Sequence, residues 1–339
     1  MTSTPDTLST LLRSIHLSGG VYFRCEFSAP WSLEIAEKPD AEFHVVVSGN
    51  CWIAPSNGQS PVPLATGDVA VFLDGARHRL LDTPQGKALA SEEVIGDATA
   101  MGLGPVRFGG GGAPVSILCG YFRFDRDNLH PVLQALPAFI HVGGGSAQGI
   151  DAIIHLMHQE TVQTLSGREA TLDRLSELLF IQILRAHVQA STNRTGLLAA
   201  IKDPKIGAAL SHMHAKPEAA WTLDTMARSL AMSRSAFAAR FTELVGQTPM
   251  NYLTTVRLLE ARRLLRESNL TTFAIAERVG YGSEAALGKA FKRAVGVGPG
   301  AFRKRTDITL LSITEPRDIR RVRLASRTLR SDLCAAAPT

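Results

Sequence analysis

With 339 residues, 45% hydrophobic and 20% charged, the chain is long enough for two globular domains and too apolar to be disordered. No segment reaches the ~18 uninterrupted apolar residues of a membrane span. The opening MTSTPDTLSTLLRS lacks the basic and then apolar pattern of an export signal, so a cytoplasmic protein without membrane contact is expected. The net charge of +5 is uneven: residues 204–306 hold 16 Lys+Arg against 7 Asp+Glu, a balance of +9, the tail 307–339 adds +2, and residues 1–203 carry −6. A basic back half suits a polyanion, although charge alone fits a solvated surface equally well. Cys25, Cys51, Cys119 and Cys334 lie far apart with no C-x-x-C pair, which argues against a zinc ribbon or a disulfide framework.

From about residue 20 to 125 the chain alternates short apolar runs with turn residues. FHVVVSG (43–49), CWIAP (51–55), GDVAVFLDG (67–75) and VSILCGYFRF (115–124) have strand length and predict an all-β barrel or sandwich. Gly109–Gly112 and Gly143–Gly145 lack the strand–loop–helix context of a phosphate loop and are expected to be plain loops. After Gly149 the period becomes helical: Ile153, Ile154 and Met157, then Leu172, Leu175, Leu178, Leu179, Ile183 and Leu184, with a break at Ser166-Gly167. This stripe suits a cover for the β domain and a dimer surface alike. The polar stretch from Gln189 to Gly196 opens an expected linker, 191–203.

The segment 204–306 contains a repeat. Ser233 and Ser283, Phe237 and Leu287, Phe241 and Phe291, Gly246 and Gly296, Pro249 and Pro299, Tyr252 and Phe302 match at a separation of 50. The apolar matches fall on one side of a three-turn helix, and each glycine stands where a helix end needs a left-handed residue. A matching short helix precedes each, opening at Leu223, with Asp224 available as its cap, and at Phe273. Its turn is one residue longer in the second unit, so Ala227 pairs with Ala276 at 49. Two helix-turn-helix units result, about 223–246 and 273–296, joined by an amphipathic helix over 252–266. Solvation, carboxylate pairing or phosphate contact remain open for its Arg257, Arg262, Arg263 and Arg266.

With Ala276-x-x-Val279-Gly280-Tyr281-x-Ser283, then Phe291-Lys292, Gly296, Pro299 and Phe302-Arg303, residues 204–306 resemble the DNA-binding domain of AraC/XylS-type regulators. The resemblance implies base-reading positions at Arg234, Ser235, Ala236 and Ala239 in the first unit and at Glu284, Ala285 and Lys289 in the second, with Ser283 at the start of that helix also in the DNA-binding set. Arg240, Lys292 and Arg293 are assigned to phosphate, which positions a protein and makes its binding salt-dependent. Alanine at three reading positions departs from the pattern, because it offers apolar contact only.

In the β region, the run from Gly67 to His78 matches the second cupin motif except for Leu73, and the run from Glu42 to Gly49 resembles the end of the first. Residues 8–190 thus resemble a cupin-type sensor, so the expected fold is a two-domain α+β chain: a cupin-like β-barrel with trailing helices, then an all-α tandem helix-turn-helix domain. Strand alternation puts Glu42 and His44 on one face, and His78 can join them, with Cys119 as a fourth group. The H-x-H that precedes the glutamate in metal-binding cupins is missing. A divalent metal on Glu42, His44 and His78, a metal-free organic effector, and histidines that merely satisfy core hydrogen bonds all stay open. The function implied is a transcription regulator controlled by a small molecule, with promoter DNA, RNA polymerase and a second copy of the chain as partners. The alternative is a metal-dependent cupin enzyme carrying a DNA-binding domain. Arg317–Arg330 in the tail is expected either to be flexible or to add phosphate contacts.

Overall fold

The computed structural model describes residues 6–85, 89–95, 104–125, 129–145, 149–163 and 165–304. The tail and Cys334 lie outside these residues. In chain order the first part comprises α1 (Thr7–Arg13), β1 (Leu17–Ser28), β2 (Ser32–Ile35), β3 (Ala41–Ser48), β4 (Asn50–Pro55), β5 (Val62–Ala65), β6 (Val69–Phe72), β7 (His78–Leu81), β8 (Leu89–Ala90), α2 (Ser91–Ile95), β9 (Pro105–Gly109), β10 (Pro114–Phe124), α3 (Pro131–Gln134) and β11 (Phe139–Val142).

The β domain is built from two sheets. One has the order β11-β6-β3-β10-β1-β9 and the other β5-β4-β7-β2-β8, and no ladder joins them into a closed barrel among the described strands. Period-2 alternation explains the core. Cys25 and Phe27 of β1, Val46 of β3, Phe72 of β6, and Ile117 and Cys119 of β10 meet Leu33, Cys51, Ile53, Leu64 and Leu80 of the second sheet in one buried cluster.

Helices α4 (Ile150–Val162) and α5 (Arg168–Ala190) follow. Phe43 stacks on Phe122 with centroids 4.7 Å apart, and Phe122 meets Phe180 of α5 edge-on at 5.1 Å. The approach is close enough that a Cβ on Gly19 would stand 3.0 Å from that of Ser176. The helical stripe therefore covers the six-stranded sheet, while Leu156, Val162, Leu165 and Leu178 stay exposed. No helix among the described residues is long and apolar enough to cross a membrane.

The expected linker is partly a helix. Residues 197–202 form α6 (Leu197–Lys202) with Leu197, Leu198 and Ala200 buried, because an apolar Leu-Leu-Ala-Ala-Ile run follows Gly196. Then come α7 (Pro204–Ala215), α8 (Leu223–Ser229), α9 (Arg234–Val245), α10 (Pro249–Glu267), α11 (Thr272–Arg278) and α12 (Glu284–Val295). Two compact units divide the chain. One runs through Ala215 and includes Thr222–Pro249, and the other holds Lys216–Trp221 and the chain from Met250. Residues 191–203 lie inside the first of these units.

Candidate functional site

The two helix-turn-helix units repeat each other down to single hydrogen bonds. Ser233 and Ser283 are the N-caps of α9 and α12, accepting from Ala236 N and Ala286 N at 3.2 Å. Gly246 and Gly296 end them in the left-handed conformation, at φ 78° and 83°. In the turns, Met232 N donates to Ala227 O at 3.0 Å and Tyr281 N donates to Ala276 O at 2.8 Å. Phe237 and Phe241, like Leu287 and Phe291, are fully buried. Caps and anchors fix the opposite face, so Arg234, Ser235, Ala236, Ala239 and Arg240 are exposed in one unit, and Ser283, Glu284, Ala285, Lys289, Lys292 and Arg293 in the other.

Two details correct the sequence expectation. Thr222, in a reciprocal capping box with Thr225, is the N-cap of α8, whereas Asp224 sits in the first turn and pairs with Arg228 at 2.7 Å. Arg240 does not present an open guanidinium. Its Nε and Nη2 donate to Asp203 Oδ2 at 3.3 and 3.2 Å, and its Nη1 donates to Glu243 Oε2 at 3.0 Å.

The second candidate site lies between the sheets. Strand β3 brings Glu42 and His44 inward, β10 places Cys119 opposite His44 in register, and β7 of the other sheet supplies His78. Glu42, His44 and His78 are buried and each offers a ligand atom within 4.8 Å of the others. His44 Nε2 and His78 Nε2 stand 2.7 Å apart, His44 Nδ1 is 3.2 Å from Cys119 Sγ, and His78 Nδ1 is 2.8 Å from Ala76 O. The carbonyl can only accept, so His78 carries its proton on Nδ1 and accepts at Nε2 from His44. His44 Nδ1 then accepts from the Cys119 thiol. Burial holds both histidines neutral, His78 down at about 4 and His44 well below the ordinary range, with His78 and Lys38 adding repulsion at His44. Phe72 stacks flat on His78 with centroids 3.9 Å apart.

Glu42 is the exception in this network. Lys38 takes its Oε1, but its Oε2 is buried with no hydrogen-bond partner among the described residues. Burial raises the Glu42 pKa against the opposing pull of Lys38. An orphaned carboxylate oxygen beside two imidazoles is costly in an apolar core.

Comparison with known proteins assigns both parts. A family model described as Cupin matches residues 6–189, and one described as Helix-turn-helix domain matches residues 226–305. A putative AraC-like transcription regulator of Streptomyces antibioticus is 31% identical over 307 residues, which is 88% of this chain and 97% of that protein. The chain belongs to the AraC-like family of transcription regulators. The HTH-type transcriptional regulator AlkR of Acinetobacter baylyi is 28% identical, spanning 89% of this chain and all of that protein. Among solved structures, the DNA-binding domain of AdpA in complex with a target DNA is 31% identical, covering 33% of this chain and 92% of that chain with a TM-score of 0.28.

In this AraC-like regulator three of the four spacer arginines left open by the sequence, Arg257, Arg263 and Arg266, are engaged within the protein. Arg263 of α10 binds Glu260 and Glu267, and Arg266 lies over the Phe302 ring at 5.0 Å. Arg257 donates to Pro217 O at 2.8 Å and Ala219 O at 2.9 Å, tying 216–221 to the spacer helix. Sequence reasoning also missed Ser14, His130 and His214. Ser14 Oγ lies 3.1 Å from His130 Nε2, 3.2 Å from His214 Nδ1 and 2.7 Å from Leu11 O. His130 Nδ1 accepts from Val132 N, so its Nε2 carries the proton and donates to Ser14. The hydroxyl thereby joins the end of α1, the start of α3 and the last turn of α7. Nothing in the local sequence could have signalled this, because the three residues lie 116 and 200 positions apart.

Proposed function

We propose that this AraC-like DNA-binding regulator is a one-component sensor: a small effector enters the β domain at Glu42, His44 and His78 and changes how the helix-turn-helix units bind promoter DNA. The carrying observation is the buried polar cluster with its orphaned Glu42 Oε2, next to the apolar cluster that holds Phe72 and Cys119. A ligand that donates to Oε2 repays the desolvation. The reading is non-enzymatic, in keeping with relatives named as transcription regulators. RNA polymerase is its expected partner, and the exposed Leu156, Val162, Leu165 and Leu178 suit a second copy of the chain. A band-shift assay on the promoter beside its own gene, with and without cell extract, tests the reading. Salt-sensitive, sequence-specific binding that the extract alters is expected; its absence in both conditions overturns it.

A divalent metal is a second reading of the same cluster, favoured by one observation. Both histidines have Nδ1 engaged, by Ala76 O and Cys119 Sγ, which leaves both Nε2 atoms directed at each other beside the free Glu42 oxygen. Metal-bound histidines are held in this manner by a partner on the other nitrogen. The residues fit: Glu42, His44 and His78 would hold the ion, with His44 moving its proton to Nδ1 and donating to Cys119. The ion would supply a Lewis-acid anchor for an anionic effector. Metal analysis of the protein purified without chelators separates the readings, since stoichiometric metal lost in His78→Ala supports this one and metal-free protein rejects it.

A further inference from the structure

The junction between α6 and α7 carries one side chain with two separate tasks. Asp203 Oδ1 accepts from Lys205 N at 3.0 Å and Ile206 N at 2.9 Å, capping α7, whose first residue is Pro204. Its Oδ2 reaches across to α9 and takes Arg240. Two residues on, Lys205 Nζ donates to Ala231 O at 3.2 Å, so the same junction grips the turn ahead of α9.

Arg240 follows Ala239 and stands one turn beyond Ala236 on α9, at the flank of the exposed row. Between Asp203 and Glu243 its positive charge is over-compensated, because two carboxylates around one guanidinium sum to −1. A phosphate approaching Arg240 meets both carboxylates and finds most of the guanidinium N–H groups in use. The Asp203 side chain is only 18% exposed and is already held by the cap. It therefore does not pay the side-chain entropy that makes most surface ion pairs ineffective.

We propose that Asp203 is a positioning residue for DNA binding: a carboxylate brake that holds Arg240 against the α6–α7 junction and off the phosphate backbone. Movement of α6 relative to α9 opens the pair and adds one cation to the interface. The segment that the sequence marks as a linker thus sets the electrostatic strength of the first helix-turn-helix unit. This inference needs DNA binding only, not the effector or metal readings.

The test is the salt dependence of binding to a duplex of arbitrary sequence, which reports phosphate contacts and does not need the natural target. Asp203→Asn keeps an oxygen for the α7 cap and removes the charge. Full-length Asp203→Asn should bind several-fold more tightly, with the slope of log K against log salt steeper by up to ~0.9, the value of one added phosphate contact. Arg240→Ala in the Asp203→Asn background should return the slope to the wild-type value. Glu243→Gln removes the other carboxylate without touching the cap and should steepen the slope in the same direction, which keeps the test decisive if Asp203→Asn is unstable. An unchanged or shallower slope in the well-folded variants, or steepening that survives Arg240→Ala, overturns the proposal.

Discussion

His44 Nε2 lies 2.7 Å from His78 Nε2, across the two sheets, and one proton serves both atoms. The pair holds together because Ala76 O fixes the His78 tautomer and Phe72 stacks against its ring. Removing His78 leaves the His44 N–H buried without an acceptor and opens a cavity beside Phe72. His78→Ala should therefore cost about 3 kcal/mol in urea unfolding. On the metal reading, excess Zn(II) should raise the melting temperature of the wild type and leave His78→Ala unmoved. Equal shifts in both proteins would place any bound zinc elsewhere.

The Ser14 junction predicts a pH dependence. Burial holds His130 at about 4, below the ~6.5 of an unfolded chain. Between these values the unfolded state binds the proton and the folded state does not, so stability is full above pH ~6.5 and falls as the pH drops towards 4. The loss from this group approaches about 3 kcal/mol at the acid end. His214 is lowered by burial and by His130, and acts in the same direction. His130→Asn keeps an acceptor for Val132 N and should flatten the stability profile between pH 7 and 5. A profile identical to the wild type would remove His130 from the account.

Equivalent turn positions in the two units hold different residues. Ala231 has φ 49° and Gly280 has φ 79°, and glycine alone takes this region without strain. Ala231→Gly should stabilise the protein by about 1 kcal/mol. Gly280→Ala should be far more harmful, because its Cβ would also stand 2.8 Å from Glu218 O. Thermal melts of both variants decide this, and a destabilising Ala231→Gly would contradict the strain argument.

On α12, Lys289 and Arg293 are both exposed but carry different roles in the AraC-like reading. Lys289→Ala should change which sequences bind, while Arg293→Ala should weaken all duplexes alike and make the salt slope shallower by ~0.9. Binding to a panel of duplexes at several salt concentrations distinguishes the two. Parallel losses on every duplex would remove Lys289 from base reading.

Much of the helical half is legible without coordinates. Ser233, Ser283, Gly246 and Gly296 act on neighbours three or four residues away, so spacing alone reveals their work. Asp224 shows the limit even there, since Thr222 competes for the same cap and wins through Thr225. In the β half, alternation brings out Glu42 and His44, and the motif brings out His78.

The tie from Asp203 to Arg240 and the Ser14 junction are invisible to such reasoning. They join residues between 37 and 200 positions apart. The repeated caps, the buried faces and the family motifs were determined by the sequence itself, because they depend on the helical and strand periods. Local pairs such as Arg263 with Glu260 and Glu267 also follow from helical spacing, but that Asp203 takes Arg240 was decided only by tertiary packing. A guanidinium is read as free or paired by what stands within about 3 Å of it, and the sequence around Arg240 holds no record of a carboxylate 37 positions away.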